Sequence, residues 1–360
     1  MTFPFLDHSY LDGHGAGVLP LSSGSANHGL GQELLMNDSG ALSPVSLISH
    51  GPFGSSNSHT TSSAPATPAP TLVSATGSKL EIELVWDKSV ANAPSGFTSA
   101  VIAAAQTLVS DYTASSTDIV YINVGWSEIA GSSLSPSALG ESESYGYLTN
   151  YSTVTHALAN DGYTFTASNE PTNGQFFVTS AEAKALGLIS GTSGSTTSVD
   201  GYIGFSTLSG TGYSWNYSSM STSGTQFSLQ AVAEHEITEV MGRVAMEGTV
   251  TYNGVKTYTP LDLFNYSSPN VLSLSANGGY FSANGGVTHE GNFNNAAKYG
   301  GDIADWASYS SVSQAGTLSS GEDPFNAFAW PGYKNTLSAD DLLEVAALGY
   351  HLTSAGAALA

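Results

Sequence analysis

The sequence predicts a mixed α+β domain, on three observations. Leu80-Glu81-Ile82-Glu83-Leu84-Val85-Trp86 alternates apolar and polar residues with the period of a half-buried strand. Phe97 to Tyr112 then sets Phe97, Val101 and Leu108 at helical spacing, and Asp118 to Ile129 returns to strand through Ile119-Val120-Tyr121-Ile122-Asn123-Val124. Strand, helix, strand is the opening of a layered arrangement in which a helix covers a twisted mixed sheet. The third observation is the stretch from Phe227 to Arg243. Its Leu229, Val232, Ala233, Ile237, Val240 and Met241 form one apolar stripe, and Gly242 is placed to bend or cap the end.

Shorter signals fill in the rest. Thr179-Ser180-Ala181-Glu182 is a capping-box pattern before a short helix, and Tyr202-Ile203-Gly204-Phe205 reads as a strand. Ala276-Asn277-Gly278-Gly279 recurs as Ala283-Asn284-Gly285-Gly286. The expectation there is two Asn-Gly turns flanking a short strand, because the acidic position of a calcium-binding repeat is missing. Ser338-Ala339-Asp340-Asp341 opens a final helix with acidic groups in its first turn, and Gly349 ends it.

These signals set the domain limits. Residues 1–55 are Gly-, Ser- and His-rich without a sustained period and read as a disordered or pro-like leader; residues 56–78 form a Ser/Thr/Pro/Ala linker. The folded domain is expected over residues 79–351, with a Gly/Asn-rich insertion at about 268–335 and a tail at 352–360. A chain of 360 residues that is 41% hydrophobic can bury a substantial core. Its charge is lopsided, with 29 acidic against 7 basic residues and a formal net charge of -22. That balance works against nucleic acid and anionic membrane as partners. The longest apolar stretch, around Ala100 to Val109, is interrupted by Gln106 and falls short of the roughly 20 residues a membrane helix needs. There is no cysteine, so stability outside the cell would rest on packing or metal. Met1-Thr2-Phe3-Pro4-Phe5-Leu6-Asp7-His8 lacks the basic start and apolar run of a signal peptide. The expectation is therefore an extracellular protein exported by a leaderless route, with cytoplasmic residence as the alternative.

The chemistry concentrates on His235-Glu236-Ile237-Thr238-Glu239. Residues four apart on a helix point the same way, so His235 and Glu239 can hold one metal ion while Glu236 sits alongside to handle an activated water. A carboxylate in place of a second imidazole makes such a site more anionic and its metal a weaker Lewis acid. Arg243, the one arginine of the chain, lies one turn beyond Glu239. It defines the competing structural reading, an i,i+4 salt bridge between Glu239 and Arg243 with no metal. His8, His14, His28, His50 and His59 all precede the expected domain, either as solvated side chains or as a pro-segment ligand masking the metal.

The segment His235 to Gly242 resembles the metzincin helix H-E-x-x-H-x-x-G apart from Glu239, and Ala245 stands where a metzincin has its third histidine. The run from His235 to Arg243 resembles more closely a group of bacterial metalloproteases carrying H-E-I-x-E-V-M-G-R. Asp262-Leu263-Phe264-Asn265-Tyr266-Ser267 is similar to the Met-turn, with Phe264 at the methionine and Tyr266 at the tyrosine. Leu337 to Tyr350 is similar to the closing helix of matrixin-like domains. The resemblance covers about residues 79–351 and implies a zincin-like α+β fold and a zinc-dependent metallopeptidase acting on protein or peptide. It implies Glu236 as general base, Tyr266 or Arg243 at the oxyanion, and His235 and Glu239 as zinc ligands. Thr259-Pro260-Leu261-Asp262 is similar to the Gly-Thr-x-x-Asp-type segment of a related zincin group, which makes Asp262 the expected third ligand. His289, Glu290, Asp302 and Asp305 are the alternatives. The non-ligand roles to set beside these are a partner for Arg243 at Asp262, a turn residue at His289, and a packed loop anchor at Asp305-Trp306. The rival function is a catalytically inactive zincin-fold surface or binding protein.

Overall fold

The computed structural model describes residues 10–11, 43–45, 67–134, 138–218, 223–307, 323–329, 331–332 and 336–360. The linker's first part, most of the leader and its histidines lie outside the described residues. In chain order the elements that matter are β1 (Thr71–Ser74), β2 (Leu80–Trp86), α1 (Phe97–Asp111), β3 (Asp118–Trp126), β4 (Gly140–Ser144), β5 (Gly146–Asn150), α2 (Tyr151–Asn160), β6 (Gln175–Thr179), α3 (Ser180–Ala185) and β7 (Gly201–Phe205). They are followed by α4 (Leu229–Val240), β8 (Val250–Tyr252), β9 (Val255–Tyr258), β10 (Asn265–Ser268), β11 (Val271–Leu272), β12 (Gly279–Phe281), β13 (Asn292–Phe293) and α5 (Ala339–Ala346). The fold is mixed α+β.

The main sheet runs in the order β1-β2-β3-β7-β4. Its three central strands are parallel, with Leu80 opposite Asp118 and Gly201 opposite Ile122, and both edge strands are antiparallel. The alternation read in the sequence is realised: Leu80, Ile82, Leu84 and Trp86 of β2 and Val120, Ile122 and Val124 of β3 are buried in one core with Phe97, Val101 and Leu108 of α1. β1 lies within the stretch expected as linker. Its backbone bonds to β2 extend the ordered unit upstream of Lys79, because β2 otherwise presents an open edge. At the other end His351–Leu352 pairs with Tyr112–Thr113, so the expected tail begins inside the fold.

A second sheet, β8-β9-β6-β5, continues onto Ser43–Val45 of the leader, which pairs antiparallel with β5. A third small sheet, β11-β10-β12-β13, carries the Gly/Asn-rich region, and the two expected turns flank β12 with Gly278, Gly285 and Gly286 at positive φ. Tyr10–Leu11 pairs in parallel with Phe328–Ala329. Among the described residues, no helix is long and apolar enough to cross a membrane.

α4 packs against α1 on one side and against β4 and β7 on the other. Ser228 caps its start by accepting from the Ala231 N–H, and Gly242 ends it at φ 127. A Cβ on Gly242 would also lie 2.9 Å from Glu182 Cβ, so this position is closed to side chains twice over. The Thr179 cap forms, with its side chain accepting from the Glu182 N–H, but the reciprocal half is missing: neither Glu182 carboxyl oxygen has a hydrogen-bond partner among the described residues.

At the C-terminal end, Ser338 and Asp341 form the full capping box of α5. Asp341 does more than cap, since its Oδ1 accepts the Trp306 indole N–H at 2.6 Å and so ties the insertion to α5. Asp341→Ala removes both bonds from a buried position and is expected to cost about 2–4 kcal/mol, read from urea unfolding.

Buried carboxyls raised above their ordinary range shape the pH response, Asp118 and Glu182 among them. Burial pushes Asp118 up to about 7, against the opposing pull of Lys184, and burial pushes Glu182 well above its ordinary range. The folded chain binds these protons more tightly than the unfolded one. The stability they contribute is thus complete below about pH 4 and declines as pH rises toward 7, at about 1.4 kcal/mol per pH unit and group. The expected outcome is a melting temperature higher at pH 5 than at pH 8, with a shallower fall in Asp118→Asn.

Candidate metal centre

The helix repeat predicts that His235 and Glu239 share a face, and they do: His235 Nε2 lies 3.2 Å from Glu239 Oε1. The third member of the group is Asp305, whose Oδ1 is 3.3 Å from the same nitrogen. Among the described residues, His235, Glu239 and Asp305 form the one group of three able to hold a metal ion, and all three are buried. The insertion delivers Asp305. The Asn294 N–H donates to the Asp305 carbonyl, and Trp306 exchanges backbone bonds with Phe325 and Ala327. Trp306 stacks on Phe293 with ring centroids 5.2 Å apart.

His235 is oriented from behind. Its Nδ1 is 2.7 Å from the Pro324 carbonyl, which can only accept, so Nδ1 carries the hydrogen. A neutral ring then turns a bare Nε2 toward two carboxylate oxygens. That arrangement is repulsive unless a cation or a second ring proton sits between them, and an imidazole fixed through its other nitrogen is the usual arrangement of a metal-ligating histidine. The spacing suits an ion: tetrahedral zinc with ligands at about 2.0–2.1 Å places ligand atoms about 3.3 Å apart. By contrast, the hydrogen bonds from His235 Nδ1 to the Pro324 carbonyl and from Arg243 Nη1 to Asp305 Oδ1 are both 2.7 Å.

Arg243 lies at the far side of the same oxygens. Nη1 donates to Asp305 Oδ1 at 2.7 Å, Nη2 to Glu239 Oε1 at 3.2 Å, and Nε to Thr238 Oγ1 at 3.1 Å, while the guanidinium lies 4.2 Å from the Phe325 ring centroid. Burial alone would lower its pKa, but Asp305 and Glu239 raise it beyond its ordinary value. The salt bridge read in the sequence as an alternative to metal ligation is therefore present alongside the group able to hold an ion. Glu239 Oε2 accepts from Ser142 Oγ on β4 at 2.8 Å. Glu344, fully buried, is pushed well up by burial, with Arg243 pulling it down and Asp341, Asp305 and Asp323 pushing it further up. The surroundings hold more buried carboxyls than cations, which favours uptake of a positive ion.

Glu236 is buried beside His235, its carboxylate against the α-carbon of Gly140 on β4, where a Cβ would come within 2.9 Å of its Cδ. Asp262, the expected third ligand, is spent elsewhere. It is the third residue of a 3-10 turn (Pro260–Phe264), and its carboxylate accepts the N–H groups of Thr259, Met246 and Glu247. It is not a partner of Arg243 either. Tyr266 packs in the third sheet against Tyr280, with the space of Gly286 beside its ring, and burial pushes it up to about 12 with help from Glu170 and Tyr280. None of those contacts reaches His235, Glu239 or Asp305. His289 stacks on Tyr280 and pairs with Asn292, Glu290 accepts from the Ala283 N–H, and Asp302 accepts from the Ala304 N–H. Asp305, one of the four alternatives to Asp262, is the residue that joins. Compared with known proteins, the chain matches no family model, no curated protein and no solved structure.

Arg243→Met leaves Glu239 and Asp305 buried without their guanidinium. Urea unfolding in metal-free buffer is expected to show a loss of about 3–5 kcal/mol. Added zinc should recover part of that loss in the variant, because an ion bound only by the folded form stabilises it.

Proposed function

We propose that the chain is a zinc-dependent metallopeptidase with a zincin-like fold, acting on protein or peptide outside the cell. The observation that carries this reading is the convergence of His235 Nε2, Glu239 Oε1 and Asp305 Oδ1, with the histidine's other nitrogen anchored on the Pro324 carbonyl. These three would hold zinc, and zinc bound there supplies Lewis-acid polarisation of water and of the scissile carbonyl. Glu236 performs the proton transfer. Its carboxylate takes a proton from the attacking water as the oxygen bonds to the carbonyl carbon, and returns it to the amine nitrogen as the C–N bond breaks. Arg243 keeps Glu239 and Asp305 oriented through its hydrogen bonds to both.

One observation favours a second reading. All three ligand side chains are sealed from solvent, and Arg243 already balances both carboxylates. On that basis the protein would be a catalytically inactive zincin-fold surface or binding protein, with the cluster as a structural hub.

Two measurements separate the readings. Metal analysis of the purified protein is expected to find about one zinc per chain, lost in His235→Ala and in Asp305→Ala and kept in Asp262→Asn. Glu236→Gln is expected to keep zinc and melting temperature while hydrolysis of a generic protein substrate falls by about a hundredfold or more. Zinc-loaded parent protein that shows no chelator-sensitive hydrolysis decides for the inactive reading.

A further inference from the structure

A second buried polar cluster lies where α3, the start of β3 and the turn into β7 meet. Lys184 Nζ is 2.6 Å from Asp200 Oδ2, with the two side chains 1% and 4% exposed. Nζ also donates to the Ile119 carbonyl at 2.7 Å and sits over the Tyr121 ring, 5.2 Å from its centroid. Asp200 is held just as firmly, since its Oδ2 accepts the Tyr121 N–H at 2.8 Å and its own N–H donates to the Tyr121 carbonyl at 2.7 Å.

The third member is what an ion pair does not require. Asp118, the residue before Ile119, is buried, and neither of its carboxyl oxygens has a hydrogen-bond partner among the described residues. It lies within electrostatic reach of both Lys184 and Asp200. A buried carboxyl of this kind costs stability, and an apolar residue at the same place would not. Burial holds it up to about 7, so it can take and give a proton near neutrality. An amine and a carboxyl carbon fixed side by side, away from water, have the high effective concentration that makes condensation intramolecular.

We propose that Lys184 and Asp200 condense into an amide bond, with Asp118 as the proton carrier. A side-chain rotation brings the unpartnered Asp118 carboxylate onto Nζ, where it takes one proton from the ammonium and frees the Nζ lone pair. Nζ bonds to Asp200 Cγ as the electron pair of the C=O moves onto Oδ2, where the Tyr121 N–H receives it. The Cγ–Oδ1 bond then breaks as the C=O reforms. Oδ1 leaves as water with two protons, the one carried by Asp118 and the second lost from Nζ. An ammonium and a carboxylate become one amide and one water, and no oxidant or co-reactant is needed. The product staples α3 to the first residue before β7 in a chain that has no cysteine to do so.

The test is the intact mass of the full-length purified protein under denaturing conditions. The expected result is a chain lighter by one water than its sequence. A chymotryptic digest should then release the Lys184 and Asp200 segments as a single branched species. Full sequence mass overturns the proposal. So does a water loss confined to the Asp200 segment, which would be a succinimide at Asp200-Gly201. Lys184→Arg is expected to restore the full mass, and Asp118→Asn to leave most of the protein unlinked. A variant at Asp118 that links as completely as the parent overturns the role given to that carboxyl.

Discussion

The guanidinium of Arg243 ties the end of α4 to Asp305, sixty-two residues further along the chain. It sits one turn beyond Glu239 on the helix end and reaches Asp305, from the insertion, at 2.7 Å. A planar fork with five donors can satisfy several acceptors at once, and here it serves Asp305, Glu239, Thr238 and the His235 carbonyl. Without that cation, two carboxylates in a dry interior would repel each other and the group of three would not close. The Phe325 ring over the guanidinium and the Pro324 carbonyl on His235 belong to the same arm, so orientation of the histidine and recruitment of Asp305 are one event.

The same constraint explains an uneven distribution of charge. Few residues are charged, yet many of the acids are inside: Glu234, Glu236, Glu239, Glu344, Asp305, Asp323 and Asp341 are all buried near α4 and α5. Some are absorbed by caps and indole bonds, as Asp341 is, and others are held toward the neutral form by burial. Carboxyls kept in the interior by a chain with a net charge of -22 bind protons more tightly folded than unfolded, so lower pH favours the fold.

Much of the fold was legible because its signals are local. Alternation in β2, helical spacing in α1 and α4, the Ser338 cap and the Asn-Gly turns are each written within a few residues, and each formed where the pattern placed it. The misreadings were of another kind. β1 hides in a Ser/Thr/Pro tract because an edge strand needs only one buried side chain, Val73, and a partner to bond. On α4 the polar face is buried along with the apolar stripe, against α1, β4 and Asp305, and the stripe by itself does not show what covers it.

By itself the sequence determined the mixed α+β class, the helix that carries His235, Glu236 and Glu239, and the exclusion of a membrane-spanning helix, because each follows from periodicity or composition over a short window. Only the tertiary structure decided the third member of the group. Asp262 and Asp305 are equally plain as letters. What separates them is that Asp262 is consumed by three backbone N–H groups at its own turn, whereas Asp305 is carried by paired backbone and a stacked tryptophan to the oxygen-facing side of His235. A hydrogen-bond demand that spans about sixty residues leaves no local trace, so which acid joins His235 and Glu239 is decided by packing.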